Sequence, residues 1–69
     1  MNHFVQIVDH CAEKRNIAQL VAMRDLALAT LAHYSRVTHP VAREICDQYI
    51  PRTQSELAYV LAALSRIQA

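Results

Sequence analysis

Between Ile17 and Tyr34 the large apolar side chains fall at helical spacing, and this pattern constrains the fold more than any other feature of the chain. At about 100° per residue, Ile17, Leu20, Val21, Met23, Ala27, Leu28, Leu31 and Tyr34 gather on one broad face. The segment therefore reads as an amphipathic α-helix. The whole chain has 69 residues, enough for a single small domain spanning 1–69. A folded chain of that size buries only about 60% of the surface its unfolded form exposes. A monomer is thus expected to lie near the edge of stability and to gain from a partner.

Carrying the same helical wheel backwards puts Phe4, Val8 and Cys11 almost opposite the main stripe, with Glu13-Lys14-Arg15-Asn16 between the two patterns. One uniform helix cannot bury both faces in one core. Either a continuous helix offers its first face to another molecule, or the chain breaks near Asn16. The break is the favoured reading, because Asn16 can cap a new helix with Gln19 three positions on. After Tyr34, Pro40 biases His39 away from helical geometry and Thr38 or His39 can cap the next helix, so the chain is expected to reverse there. Val41, Ile45, Cys46, Tyr49 and Ile50 then recur at helical spacing, as do Leu57, Val60, Leu61, Leu64 and Ile67 beyond Pro51. One wheel drawn through Pro51 keeps both stripes within roughly 60° and points the proline outward, so a single kinked helix is allowed. Thr53-Gln54-Ser55-Glu56 has the form of a capping box, which favours a fresh start at Thr53. The expectation is an all-α helical hairpin or small three- to four-helix bundle, its second arm kinked or broken near Pro51, in an oligomeric assembly.

Composition narrows the function. With 54% hydrophobic and 19% charged residues the chain is too apolar for a disordered tail, and the absence of glycine removes phosphate-cradling glycine loops. Seven Lys and Arg against six Asp and Glu leave a formal charge of +1, so the electrostatic footprint of a nucleic-acid or anionic-lipid binder is missing. Arg24 and Asp25 interrupt the longest apolar run, and no basic-flanked signal peptide opens the sequence. A cytoplasmic protein that does not enter membranes is expected. Cys11 and Cys46 show neither CxxC nor framework spacing and read as reduced, small core residues. His3, His10, His33 and His39 offer zinc-type ligands, but no pair sits at i, i+3 or i+4 on one helix, so neither a metal nor a cofactor is expected. A hairpin of this size also lacks the pocket and oxyanion donors that acyl transfer needs, and the chain reads as non-enzymatic.

Two features point to association instead. Arg24 falls inside the apolar stripe between Leu20 and Leu28, where a charged head must reach water, pair with Asp25 or Glu56, or meet a carboxylate on a second chain. Opposite that stripe lie Ala18, Ala22, Ala29 and Ala32, with Ala58 and Ala62 in a similar role on the last helix; small residues there let another helix approach closely. The expected partner-binding residues are Arg24 as polar anchor, Leu20, Leu28 and Leu31 as apolar contacts, and Phe4 and Val8 as a separate patch. The partner is another protein or a second copy forming a homodimer, and the role is that of an adaptor, co-chaperone or inhibitor.

The stretch Arg52-Thr53-Gln54-Ser55-Glu56-Leu57-Ala58-Tyr59-Val60-Leu61 resembles the opening helix of phage-repressor-type helix-turn-helix domains, matching their Thr-Gln-x-Glu-Leu-Ala run over six positions. That resemblance implies a DNA-binding regulator, which is the alternative reading. In that family a tight turn and a recognition helix come next, whereas Ala62-Ala63-Leu64-Ser65-Arg66-Ile67 continues the helical pattern. The two-armed layout is also similar to that of the small co-chaperones that hold type III secretion needle subunits, without a shared motif.

Overall fold

The computed structural model describes residues 3–68, and among them every regular element is helical: α1 (His3–Glu13), α2 (Ile17–Arg36) and α3 (Pro40–Gln68). The break near Asn16 is present, and its chemistry is local. The Asn16 N–H donates to the Cys11 carbonyl at 2.8 Å and the Arg15 N–H to Ala12 at 3.1 Å, the paired bonds of a Schellman ending. Such an ending needs a left-handed residue, and with no glycine in the chain Arg15 takes that conformation at φ 54°. Asn16 then caps α2, its side-chain oxygen accepting from the Gln19 N–H at 3.2 Å. One residue thus closes one helix and opens the next.

The second reversal is tied from the far side. Pro40 occupies the first position of α3, where its missing N–H costs nothing, and the His39 carbonyl accepts from the Arg43 N–H at 2.7 Å. Arg43 reaches back across the turn and donates through Nη1 to the carbonyls of Tyr34 at 2.6 Å and Val37 at 3.4 Å at the end of α2, where Tyr34 also accepts from the Val37 N–H at 3.2 Å. Asp47, one turn further along α3, accepts from Arg43 Nε and Nη2 and aims the guanidinium. Hydrogen bonding to Asp47 is also the main reason the Arg43 pKa is raised above its ordinary value. A cation is fixed at the negative end of the α2 dipole.

The expected restart at Thr53 does not occur. α3 runs unbroken from Pro40 to Gln68 with Pro51 inside it, so the Thr53–Glu56 run lies mid-helix rather than at a cap. The helical wheel explains why: Pro51 is exposed, so the Asp47 carbonyl that loses its amide donor lies on the side open to water. At about 1.5 Å per residue α3 is roughly 44 Å long, which matches the 42 Å long axis of the molecule.

The core sits where α1, the first half of α2 and the last third of α3 meet. Val8, Cys11, Leu20, Val60, Ala63 and Leu64 are buried together, with Phe4, Val21, Met23, Tyr59 and Ile67 around them. Cys11 is therefore a small core residue, and Cys46 is buried nearer the turn; both are free thiols. Tyr59 Oη donates to Asp9 Oδ1 at 2.6 Å and fastens α1 to α3 at the edge of this core. That bond is the first cause of the raised Tyr59 pKa, with burial second.

Candidate functional site

The antiparallel arms α2 and α3 form a groove, and α1 fills only part of it. Asp9 stands opposite Tyr59, while Phe4 stands beside Arg52 and Glu56, so α1 runs parallel to α3 with its first residue toward the hairpin turn. The 11 described residues of α1 follow only part of the length that α2 (20 residues) and α3 (29) share. Beyond Phe4, no described residue covers the groove. What remains is an open cleft of about 450 Å³. Phe4 closes its lower end. Met23, Leu26, Ala27, Thr30 and Tyr34 form the α2 wall, and Tyr49, Arg52, Thr53 and Glu56 form the α3 wall.

The lining is mainly apolar. Its two rims carry Leu26, 69% exposed, and Tyr49, 49% exposed; Val41 and Ile45 extend the α3 rim toward the turn at i, i+4 spacing. Its polar groups include the Thr30 and Thr53 hydroxyls, the tyrosines and one ion pair. The Thr30 hydroxyl donates to the Leu26 carbonyl at 2.8 Å, and Arg52 approaches Glu56 at 4.0 Å across one turn of α3. The Arg52 side chain is mostly exposed and that of Glu56 largely covered, so the pair marks a rim with a cation outermost.

Of the residues expected to meet a partner, Phe4 alone lies in this cleft. Leu20 and Val8 are corrected: each is 0% exposed within the chain's own core and presents no surface to another molecule. The physical reason is α1, which folds back and covers with its Phe4–Val8–Cys11 face the stripe that would otherwise be open. Leu28 is 48% exposed and lies two residues beyond Leu26, about 200° round the helix, so it faces away from the cleft. Leu31 is half-buried. Arg24 pairs with its neighbour Asp25, Nε and Nη2 both lying 3.0 Å from Oδ1, and its head remains partly exposed. Ala18, Ala22, Ala29, Ala32, Ala58 and Ala62 are all exposed.

Sequence reasoning missed Leu26 and Tyr49 as rim residues. A signal for Leu26 was present, since it is a large apolar residue outside the stripe, next to Asp25. The helix-turn-helix arrangement is not formed: the matching run lies inside α3, which continues without a turn to Gln68. Among the described residues no group of three His, Cys, Asp or Glu side chains could hold a metal ion, and no helix is long and apolar enough to cross a membrane. Compared with known proteins, the chain matches no family model, no curated protein and no solved structure.

Proposed function

We propose that this chain is a non-enzymatic protein-binding module, an adaptor, co-chaperone or inhibitor that works by helix–helix association through the cleft beyond Phe4. The observation that carries the reading is the apolar groove that no described residue covers beyond Phe4, with Leu26 and Tyr49 exposed on its rims. Isolated surface leucines are ordinary, but large apolar residues converging on a concave lining mark contact surfaces. α1 itself illustrates what such a groove accepts: a short helix presenting apolar residues at i, i+4 and i+7, here Phe4, Val8 and Cys11. A binding rather than a chemical role is supported by the mainly apolar lining, in which the Thr30 hydroxyl is turned back onto its own helix. Arg24 and Leu28 lie outside the proposed surface.

The test is affinity capture from the host cell with the wild-type chain and Leu26→Asp side by side. A protein, including a second copy, that is held by the wild type and lost from the variant supports the cleft as the docking surface. Identical retained sets from the two baits overturn it.

A further inference from the structure

Resting on that reading, we infer that the occupant of the cleft is a second copy of this chain, related by a two-fold axis so that Leu26 of each copy enters the groove of the other. Surface area supports this. A compact monomer of 7.8 kDa exposes roughly 4,400 Å², whereas this chain exposes 4952 Å². The excess, roughly 550 Å² per copy, would give a dimer interface of about 1,100 Å² in total, the size of a weak, reversible contact.

Shape agrees with area. The radius of gyration is 13.6 Å, against about 11 Å for a compact chain of this length and roughly 14 Å for one of twice the length. The molecule measures 42 × 24 × 15 Å, thin in one direction only. A second copy seated over the cleft would bring the particle's radius closer to that expected for its mass.

The patch itself favours a copy over a foreign helix. A two-fold contact requires the same patch to be both protrusion and recess. Leu26, the most exposed large apolar residue, stands on the rim of the recess that it would fill on the other copy. Ala22 and Ala29, one turn to either side of it and both exposed, leave room for a helix to come close. Charge is also self-matched: the rim holds Arg52 and Glu56, one of each sign, only loosely joined at 4.0 Å, so that Arg52 of one copy can pair with Glu56 of the other. A formal charge of +1 per chain sets up little long-range repulsion.

The experiment is sedimentation velocity over a dilution series of the full chain from the submicromolar to the high micromolar range, with binding of a hydrophobic fluorescent dye measured in parallel. An interface this small predicts dissociation at micromolar concentrations. Support is a monomer–dimer equilibrium abolished by Leu26→Asp, with helical circular dichroism unchanged, and kept by Leu61→Asp, an exposed position on the far side of α3. A dimer indifferent to Leu26→Asp, or one that Leu61→Asp disrupts equally, overturns the inference. A monomer at every concentration overturns it too, and the dye then distinguishes failure of the dimer from failure of the cleft. Dye bound by the wild type and lost in Leu26→Asp leaves the cleft as a docking surface for a foreign helix, whereas no dye binding removes that reading as well.

Discussion

Leu20 and Leu28 are the same residue type on the same helix and belong to the same apolar stripe, yet their surroundings differ completely, and this makes them a sharp test of the fold. Leu20 is the largest fully buried side chain and packs with Val8, Val60 and Leu64, so Leu20→Ala opens a cavity between all three helices. Truncating a buried leucine costs 2–5 kcal/mol, and about 3 kcal/mol is a reasonable value where neighbours can partly close in. Chains of this length have total stabilities of roughly 3–10 kcal/mol, so one substitution removes a third or more. With an unfolding entropy near 2.1 cal/mol/K per residue, the loss corresponds to a drop in Tm of about 20 °C.

Leu28→Ala removes a side chain that water already half surrounds. It leaves no cavity, and alanine's higher helix propensity offsets part of the lost contact, so the cost is about 1 kcal/mol or less and the drop no more than about 7 °C. Thermal melts monitored by helical circular dichroism, at one low protein concentration so that association adds nothing, measure both. Equal shifts for the two variants would refute the placement of Leu20 in a core closed by α1. A Leu20→Ala shift below that of Leu28→Ala would do so more severely.

The Tyr59–Asp9 bond predicts a pH effect. The folded pKa of Tyr59 is raised above the ordinary value of about 10, so the stability it contributes is complete below that pH and lost as pH rises through the folded pKa. Wild-type Tm should therefore fall more steeply above about pH 10 than that of Tyr59→Phe, and parallel curves would contradict the bond's role. Arg15→Gly places glycine at the one left-handed position among the described residues and should raise stability by about 1 kcal/mol, read as a higher Tm; a lower Tm would mean that Arg15 contributes more than its backbone costs. Pro51→Ala should also raise Tm, by about 1 kcal/mol or more in stability, because it restores a mid-helix amide on an exposed face. A loss there would show that α3 needs proline's geometry to meet α1 and α2.

Features decided by neighbouring residues were legible in the sequence. The Asn16 cap and the Pro40 start depend on backbone chemistry within a few positions, and both stand where that chemistry puts them. Signals equally local misled at Thr53–Glu56, because burial of Cys46 before Pro51 and of Val60, Ala63 and Leu64 after it favours one uninterrupted helix over a new cap. The wheel also finds the apolar stripe of α2 without saying how deep each member lies. Depth is set by where α1 docks, and the described residues of α1 cover Leu20 but leave Leu26 69% exposed. The cleft itself depends on the direction in which α1 runs across α2 and α3, which a single helix's periodicity does not contain. Arg24 looked exceptional only on the assumption that its whole stripe is buried; at the edge of α2 an adjacent aspartate and partial solvent access accommodate it.

Phe4 joins the core to the proposed docking surface, because it packs against the buried cluster and also closes the lower end of the cleft. Anything seated in the cleft therefore presses on the residue that holds the start of α1 in place. Docking and folding are then linked: a partner that binds only the folded chain stabilises it in proportion to the logarithm of its concentration over Kd. At a concentration tenfold above Kd the gain is about 1.4 kcal/mol, close to half the loss assigned to Leu20→Ala. The Leu20→Ala chain should thus recover roughly 10 °C of its lost Tm between dilute and concentrated solution. The double variant Leu20→Ala/Leu26→Asp should recover none, because its core is equally weakened and the proposed dimer contact is removed. If both variants recover alike, the concentration effect does not pass through the cleft, and the coupling between α1 and the docking surface is wrong even where a dimer exists.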